Sequence, residues 1–130
     1  MNLNKSLEEL ENEIWGEPAL NSSLALECHR LRKIPISKLS NENLRFLLGQ
    51  KIGLNFLVPL TLSVLELDPF ASGEMYKGDL LANVSSIAED FWCKNPELNN
   101  RLVEIANEVS IFSETLSNEL LPVLSEFKYK

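Results

Sequence analysis

The stretch LRFLLGQKIGLNFLVPLTLSVLEL, residues 44–67, is the most apolar part of the chain, and it is interrupted by Gly49, Gly53 and Pro59. Two glycines around a lysine occur in phosphate-binding loops, in helix contacts inside membranes, and at corners between two core helices. A phosphate loop needs the pattern GxxxxGK[ST], or GxGxxG after a strand. The stretch contains neither pattern, so a phosphate-binding function is not predicted.

The same stretch is too short and too interrupted to cross a membrane. A membrane-spanning helix needs about 20 consecutive apolar residues. The longest run without a charge, residues 52–65, has fourteen residues and contains Pro59. Gly49 and Gly53 have the spacing of a membrane helix contact, but a glutamine and a lysine lie between them. We therefore predict a corner between two core helices, where glycine takes the left-handed conformation and lets the helices approach closely.

Helical periodicity and capping patterns recur along the rest of the chain. Ser6 and Glu9 form a capping-box pattern at the start of an acidic helix that is predicted to continue to Ile14. The segment KIPIS, residues 33–37, is the best strand candidate and is too short to found a sheet. Later helices are predicted behind Ser22 or Ser23, behind Ser40, at Asp79, behind Asn95–Pro96, and in a last segment bent or interrupted at Pro122. We predict one all-α domain over residues 1–130, a compact bundle of about six helices with short loops.

The composition is that of an ordinary globular protein with an acidic balance. The chain has 130 residues, 45% of them hydrophobic, and a net charge of −7. That charge is uneven, being −4 over residues 1–19, +4 over 20–51 and −7 over 52–130. An acidic protein repels phosphate, so a general nucleic-acid binder is not expected. The balance leaves open a basic partner, or simple solubility.

No set of residues predicts catalysis or metal binding. The N-terminus lacks an apolar signal region, so we expect a cytoplasmic protein with Cys28 and Cys93 reduced in the core. His29 adjoins Cys28 in sequence, but neighbours on a helix point about 100° apart and cannot form a base–nucleophile pair. Two cysteines and one histidine do not make a zinc set. Paired carboxylates such as Glu104 and Glu108 are typical of a solvated helix face, so we predict no enzyme, no cofactor and no metal site.

The segment 68–79 has the composition of a protein-binding patch. Large apolar side chains alternate there with carboxylates, and these residues are Phe70, Met75 and Tyr76 with Asp68, Glu74 and Asp79. Aromatic anchors surrounded by charge are common in protein interfaces, and acidic groups there steer a basic partner. The residues alone leave a second interpretation open, in which the rings pack onto the core and the acids only solvate the loop.

A family resemblance appears when several short motifs are taken together. WGEP (15–18), CHRLRKIPI (28–36), LRFLLGQKIGLNFLVPL (44–60), LELDPF (65–70), YKGDLL (76–81) and FW (91–92) occur in this order. Together they resemble one family of bacterial contact-dependent growth inhibition (CDI) immunity proteins. The likeness covers roughly residues 10–105, its most specific element is the central run, and it does not extend to residues 106–130.

The resemblance implies a soluble protein that binds the toxin domain delivered by a neighbouring cell and blocks its activity. Such toxins are often nucleases with basic active sites. The expected partner is therefore the C-terminal domain of a CDI toxin, and we expect this domain to be an RNase. The expected mode of inhibition is occlusion of its active site. No direct contact with nucleic acid or membrane is expected. The predicted acidic contacts are Glu17, Asp68, Glu74, Asp79, Glu89 and Asp90, and the predicted anchors are Trp15, Phe70 and Tyr76. Several motif residues are interpreted as fold-makers instead: Gly49, Gly53 and Pro59 at the corner, and Leu31, Leu44, Leu54 and Leu60 in the core.

An alternative function uses the basic segment 29–51. A helical adaptor or regulator would bind a protein or nucleic-acid partner there, through Arg30, Arg32, Lys33 and Lys38.

Overall fold

The computed structural model describes residues 1–16 and 22–127, and its architecture is all-α. Within these residues no strand forms, and the segment 33–37 supplies only one isolated bridge, between Ser6 and Pro35. The helices are α1 (Leu7–Leu10), α2 (Ser23–Arg32), a 3₁₀ turn (Ile36–Lys38), α3 (Asn41–Gly49), α4 (Leu54–Leu67), α5 (Asp79–Ser85), α6 (Glu89–Lys94), α7 (Pro96–Thr115), a π-turn (Leu116–Leu120) and α8 (Leu121–Phe127). The all-α prediction is confirmed.

Helix α4 is the centre of the core. It packs against α3, α5 and α7, and α3 packs in turn against α5. The buried side chains of α4 are Leu57, Val58, Thr61, Leu62 and Leu65. Among the predicted core residues, Leu31 and Leu44 are buried, whereas Leu54 and Leu60 are only half-buried against the edge of the core.

The predicted helix corner between α3 and α4 is confirmed. Gly53 has φ +66°, and a Cβ placed on it would lie 2.7 Å from a methyl carbon of the buried Leu7. Gly53 therefore provides both the left-handed conformation and the close approach. The left-handed residue after α3 is Lys51, with φ 59°, and not Gly49, which lies in the helix. Pro59 is the sixth residue of α4, in its second turn, where it removes one backbone hydrogen bond.

Two predicted helix boundaries were wrong. The capping box of Ser6 and Glu9 is present, but α1 ends at Leu10 because Asn12 takes a left-handed conformation with φ 51°. Ile14 is consequently 82% exposed. The helix predicted from Asp79 through the FW motif is two helices, α5 and α6. The indole of Trp92 donates to the backbone carbonyl of Ile87 at 3.1 Å, so this carbonyl, which lies between α5 and α6, has a hydrogen-bond partner.

Residues 96–127 form a nearly continuous helical rod. Helix α7 passes through the π-turn into α8, so the last segment, predicted to be bent or interrupted at Pro122, is not interrupted there. A π-turn displaces the carbonyl that a proline ring would otherwise meet in an α-helix. The first half of α7 is fixed to α4 by an ion pair between Arg101 and Glu66, at 2.6 Å. None of the helices in the described parts of the chain has both the length and the apolar character to cross a membrane.

Candidate functional site

The loop between α4 and α5, residues 68–78, is held by the buried carboxylate of Asp79. The backbone N–H of Gly73 donates to Asp79 Oδ1 at 2.7 Å, and the N–H groups of Met75 and Tyr76 donate to Oδ2 at 3.0 and 3.4 Å. Asp79 is only 3% exposed, so these three bonds take the place of water. It follows that Asp79 orders the loop from within, and the prediction that it contributes to an exposed acidic surface needs correction.

A second carboxylate, Glu42 on α3, holds the same loop from the other side. The N–H of Glu74 donates to Glu42 Oε1 at 2.9 Å, and Arg45 Nε donates to the same oxygen at 2.7 Å. Gly73 lies directly over Glu42, and a Cβ on Gly73 would come within 3.0 Å of the Glu42 Cα. Only glycine fits between the loop and α3 at this point.

Both carboxylates are held in the charged form. The hydrogen bond from Arg45 is the main cause that lowers the pKa of Glu42 below its ordinary value. Burial alone raises the pKa of Asp79, but the backbone N–H donors of the loop together outweigh burial and bring that pKa below its ordinary value. The loop is therefore fixed by two charged anchors at neutral pH.

The anchored loop presents two large side chains to solvent. Met75 is 67% exposed and Tyr76 is 60% exposed. Phe70 is partly covered, because its ring packs against that of Phe112 on α7 with the ring centroids 5.5 Å apart. Phe70 therefore packs on the exposed Phe112 of α7 and not on the core, and Tyr76 stays in solvent, so the interpretation in which both rings tuck onto the core is not supported.

A groove runs from this loop along α5 towards α6. It consists of three adjoining concavities of about 320, 130 and 590 Å³, which share lining residues. Asn83 and Ser86 line both the first and the second concavity, and Lys51 and Ile87 line both the second and the third. The groove therefore connects the Tyr76 end of the loop with Asp90 on α6. We call this feature, together with the exposed face of loop 68–78, the loop–groove surface.

The charge of the loop–groove surface is mixed. Asp68 and Glu74 are exposed on the loop, and Glu89 and Asp90 are exposed in the first turn of α6. Lysine side chains also line the groove floor beside Asp90, and these are Lys51 and Lys94. The acidic groups lie at both ends of a groove that itself contains cations.

The predicted anchor Trp15 belongs to a different cluster. Its ring lies under the guanidinium of Arg32, whose Cζ is 4.2 Å from the ring centroid, and it meets the ring of His29 edge-on with the centroids 5.3 Å apart. Arg32 is 1% exposed and donates to a Glu11 carboxylate oxygen at 2.8 Å. Trp15 is half-buried in this packing. Glu17, the remaining predicted contact, lies outside the described residues.

The basic segment 29–51 does not form an open cationic patch. Arg32 is buried, so the alternative prediction that it contacts a protein or nucleic-acid partner needs correction. Arg30 is paired with Glu27, and Arg45 is paired with Glu42. Lys33 and Lys38 are exposed.

The cysteines also depart in part from expectation. Both are free thiols, but only Cys28 lies in the core, whereas Cys93 is exposed. Among the residues that the structure describes, no group of three or more His, Cys, Asp or Glu side chains is arranged to hold a metal ion.

Sequence reasoning missed the residues that shape the loop–groove surface from outside the 68–79 segment. Glu42 and Arg45 lie about 25 residues before the loop, and Asn83 follows it on α5. The only signal for Glu42 was an acidic residue in the first turn of a helix, which the helix dipole already explains. No local pattern connects Glu42 with Gly73, because their proximity arises from the packing of the loop on α3.

Comparison with known proteins gives one family. The family model CdiI_3, described as CDI immunity proteins, matches residues 9–102, which is 94 of the 130 residues. No curated protein and no solved structure matches the chain. The matched region includes the loop, the groove and the corner at Gly53, and it ends within α7.

Proposed function

The chain belongs to the family of CDI immunity proteins, and from this premise we propose that it neutralises its cognate toxin domain by binding it stoichiometrically and occluding its active site. Membership of the family supports an immunity function against a CDI toxin. We further propose that the toxin is a nuclease, an RNase in the first instance, met in the cytoplasm of the protected cell. A polyphosphate-binding active site is basic, which complements the net charge of −7 on this chain.

The observation that carries the proposal is the ordered, exposed loop beside the groove. Met75 and Tyr76 are exposed on a backbone that Asp79 and Glu42 hold in place. A loop that is already ordered loses little conformational entropy when it binds, so more of the contact energy appears as affinity. Exposed tyrosine on such a loop is the kind of residue that dominates interface energetics.

We assign to the exposed carboxylates the electrostatic steering of the toxin towards the loop–groove surface. Asp68 and Glu74 on the loop and Glu89 and Asp90 on α6 would attract a basic toxin surface and speed association. Asp79 supports the site by ordering the loop. Trp15, which packs against His29 and Arg32 of α2, is retained as a proposed contact beyond the loop–groove surface. Glu17 is retained as a proposed contact from the sequence.

The direct test is a titration of toxin activity. The full-length chain is added to the purified cognate toxin domain, and cleavage of an RNA substrate is followed. We expect cleavage to fall linearly and to stop at one equivalent of the chain. Persistent cleavage at saturating concentrations of a chain that binds the toxin would refute occlusion, and absence of binding would refute the proposed function itself.

Paired variants test the loop. We expect Met75→Ala with Tyr76→Ala to weaken toxin binding by roughly 30-fold, the effect of losing about 2 kcal/mol at a hot spot. The matched control is Val103→Ala, an exposed apolar residue on α7 away from the loop. Isothermal titration calorimetry measures the affinity of both variants for the toxin domain. Equal affinities would show that Met75 and Tyr76 are not the main toxin contacts.

A further inference from the structure

The rod formed by α7, the π-turn and α8 carries an apolar stripe that extends beyond the body of the protein. In its first half, Leu98, Leu102 and Ile105 pack on the core at helical spacing. Large apolar residues then continue at intervals of three or four positions, which places them on one side of a helix. We call this continuation the distal stripe, and its members are Phe112, Leu116, Leu120, Leu124 and Phe127.

Most of the distal stripe is exposed to solvent. From residue 106 to residue 127 no side chain is buried. Phe127 is 74% exposed, and Phe112, Leu120 and Leu124 are each between 42% and 47% exposed. The main packing partners of α8 and the π-turn are each other and α7. An apolar surface of this extent on one helix is typical of an interaction site.

The charges beside the stripe identify the kind of partner. Between Arg101 and Lys128 the only charged side chains are five glutamates, Glu104, Glu108, Glu114, Glu119 and Glu126. A second copy of this chain would bring five more glutamates to the same contact, and like charges brought together oppose association. The same argument disfavours a nucleic acid or an anionic membrane. A protein surface with an apolar groove bordered by lysine or arginine fits best.

The stripe is continuous with the loop–groove surface. Phe112, its first member, contacts Phe70 on the loop. Phe70 belongs to the same loop as the exposed Tyr76, so one large partner can meet the loop and the rod together. The family match ends at residue 102, within α7, so the distal stripe lies outside the part of the chain that the family model matches.

We propose that the distal stripe is a second docking surface for the cognate toxin domain, which would receive the α7–α8 rod in an apolar groove bordered by basic side chains. This inference rests on the proposed function. It assigns to the rod a share of the affinity, and of the discrimination between cognate and non-cognate toxins, that residues 9–102 do not supply.

The experiment compares two double variants of the full-length chain. The stripe variant is Leu120→Ser with Leu124→Ser. The control is Ile111→Ser with Val123→Ser, which removes two apolar residues that are more exposed than the stripe pair and lie about 100° around the helix from their stripe neighbours. Phe112 is left intact because it also packs on Phe70. Circular dichroism verifies that both variants keep their helix content, and calorimetry measures binding to the purified toxin domain.

We expect the stripe variant to bind the toxin domain roughly 30-fold more weakly and the control to stay within about threefold of the unmodified chain. Equal weakening of both variants, or no weakening of either, overturns the proposal for the rod while leaving the proposed function intact. If the unmodified chain does not bind the toxin at all, the proposed function fails and the rod proposal falls with it. Sedimentation velocity on the chain alone tests for self-association. A dimer that the stripe variant abolishes would show that the distal stripe binds a second copy of the chain, and it would overturn the proposal.

Discussion

Replacement of Asp79 by asparagine tests whether the loop is fastened as described. Asparagine has nearly the same shape, but it keeps only one oxygen and turns an NH₂ group towards the loop. Since the N–H of Gly73 donates to one carboxylate oxygen and those of Met75 and Tyr76 donate to the other, one side of the contact would place donor against donor. A buried hydrogen bond to a charged acceptor contributes about 1.5–3 kcal/mol.

From these contacts we expect Asp79→Asn to reduce the free energy of unfolding by about 2–3 kcal/mol at neutral pH. For a domain of this size the melting temperature should fall by roughly 6–12 °C. Urea denaturation followed by circular dichroism measures the change. Amide hydrogen exchange at residues 73, 75 and 76 should speed up more than exchange in α4, because the loop loses its acceptor while the core is untouched.

The same variant should change the dependence of stability on pH. The folded pKa of Asp79 is lowered relative to its ordinary value of 3.8, so its contribution is fully present above that value and is lost as the pH falls through the folded pKa. The stability difference between the unmodified chain and Asp79→Asn should therefore shrink below about pH 4. Unchanged stability at neutral pH, or a difference that does not shrink in acid, would show that the Asp79 carboxylate does not hold the loop.

Three further predictions concern the frame around the site. Gly53→Ala should destabilise the fold by about 2–4 kcal/mol, because alanine is strained in the left-handed conformation and its Cβ overlaps the buried Leu7. Gly49→Ala in the adjoining helix is the control and should be neutral or slightly stabilising when both variants are unfolded with urea. Arg32→Ala should cost about 2–4 kcal/mol, because it removes a buried charged hydrogen bond and a ring contact, and the loss should be visible as a change in tryptophan fluorescence. Iodoacetamide should label the exposed Cys93 rapidly. Cys28 should react only when the protein unfolds, because it is buried and burial is the main cause that raises its thiol pKa. Equal labelling rates for the two cysteines in native buffer would contradict the packing of α2.

The parts of the fold that could be predicted from sequence are those set by local chemistry. The all-α class follows from helical periodicity, and the capping box at Ser6 and the corner at Gly53 follow from residue types that have one dominant local use. The errors fall where tertiary packing decides. Helix α1 stops at Leu10 although Ile14 continues its apolar spacing, and the pattern after Asp79 does not show the break that the Trp92 indole stabilises.

The candidate site was predictable only in its exposed loop. The composition of 68–79 indicated a binding patch, but Asp79 looks the same as Asp68 in a sequence, although one is buried with three donors and the other is exposed. The difference arises because the backbone of loop 68–78 turns inward over α3, which no local pattern reports. The distal rod was missed for the opposite reason, since its apolar spacing is that of a core-facing helix.

The proposed rod contact gives two parts of the chain different roles. Residues 9–102, which the family model matches, contain the corner, the anchored loop and the groove. Fidelity between one immunity protein and one toxin requires contacts that differ between related pairs, and a fixed frame offers few positions where change is cheap. Between residues 106 and 127 the rod has no buried side chain, so its surface can change with little effect on the core. Substitutions on the distal stripe should therefore alter which toxins are neutralised while leaving the melting temperature nearly unchanged, whereas substitutions that release the loop from Asp79 should lower both.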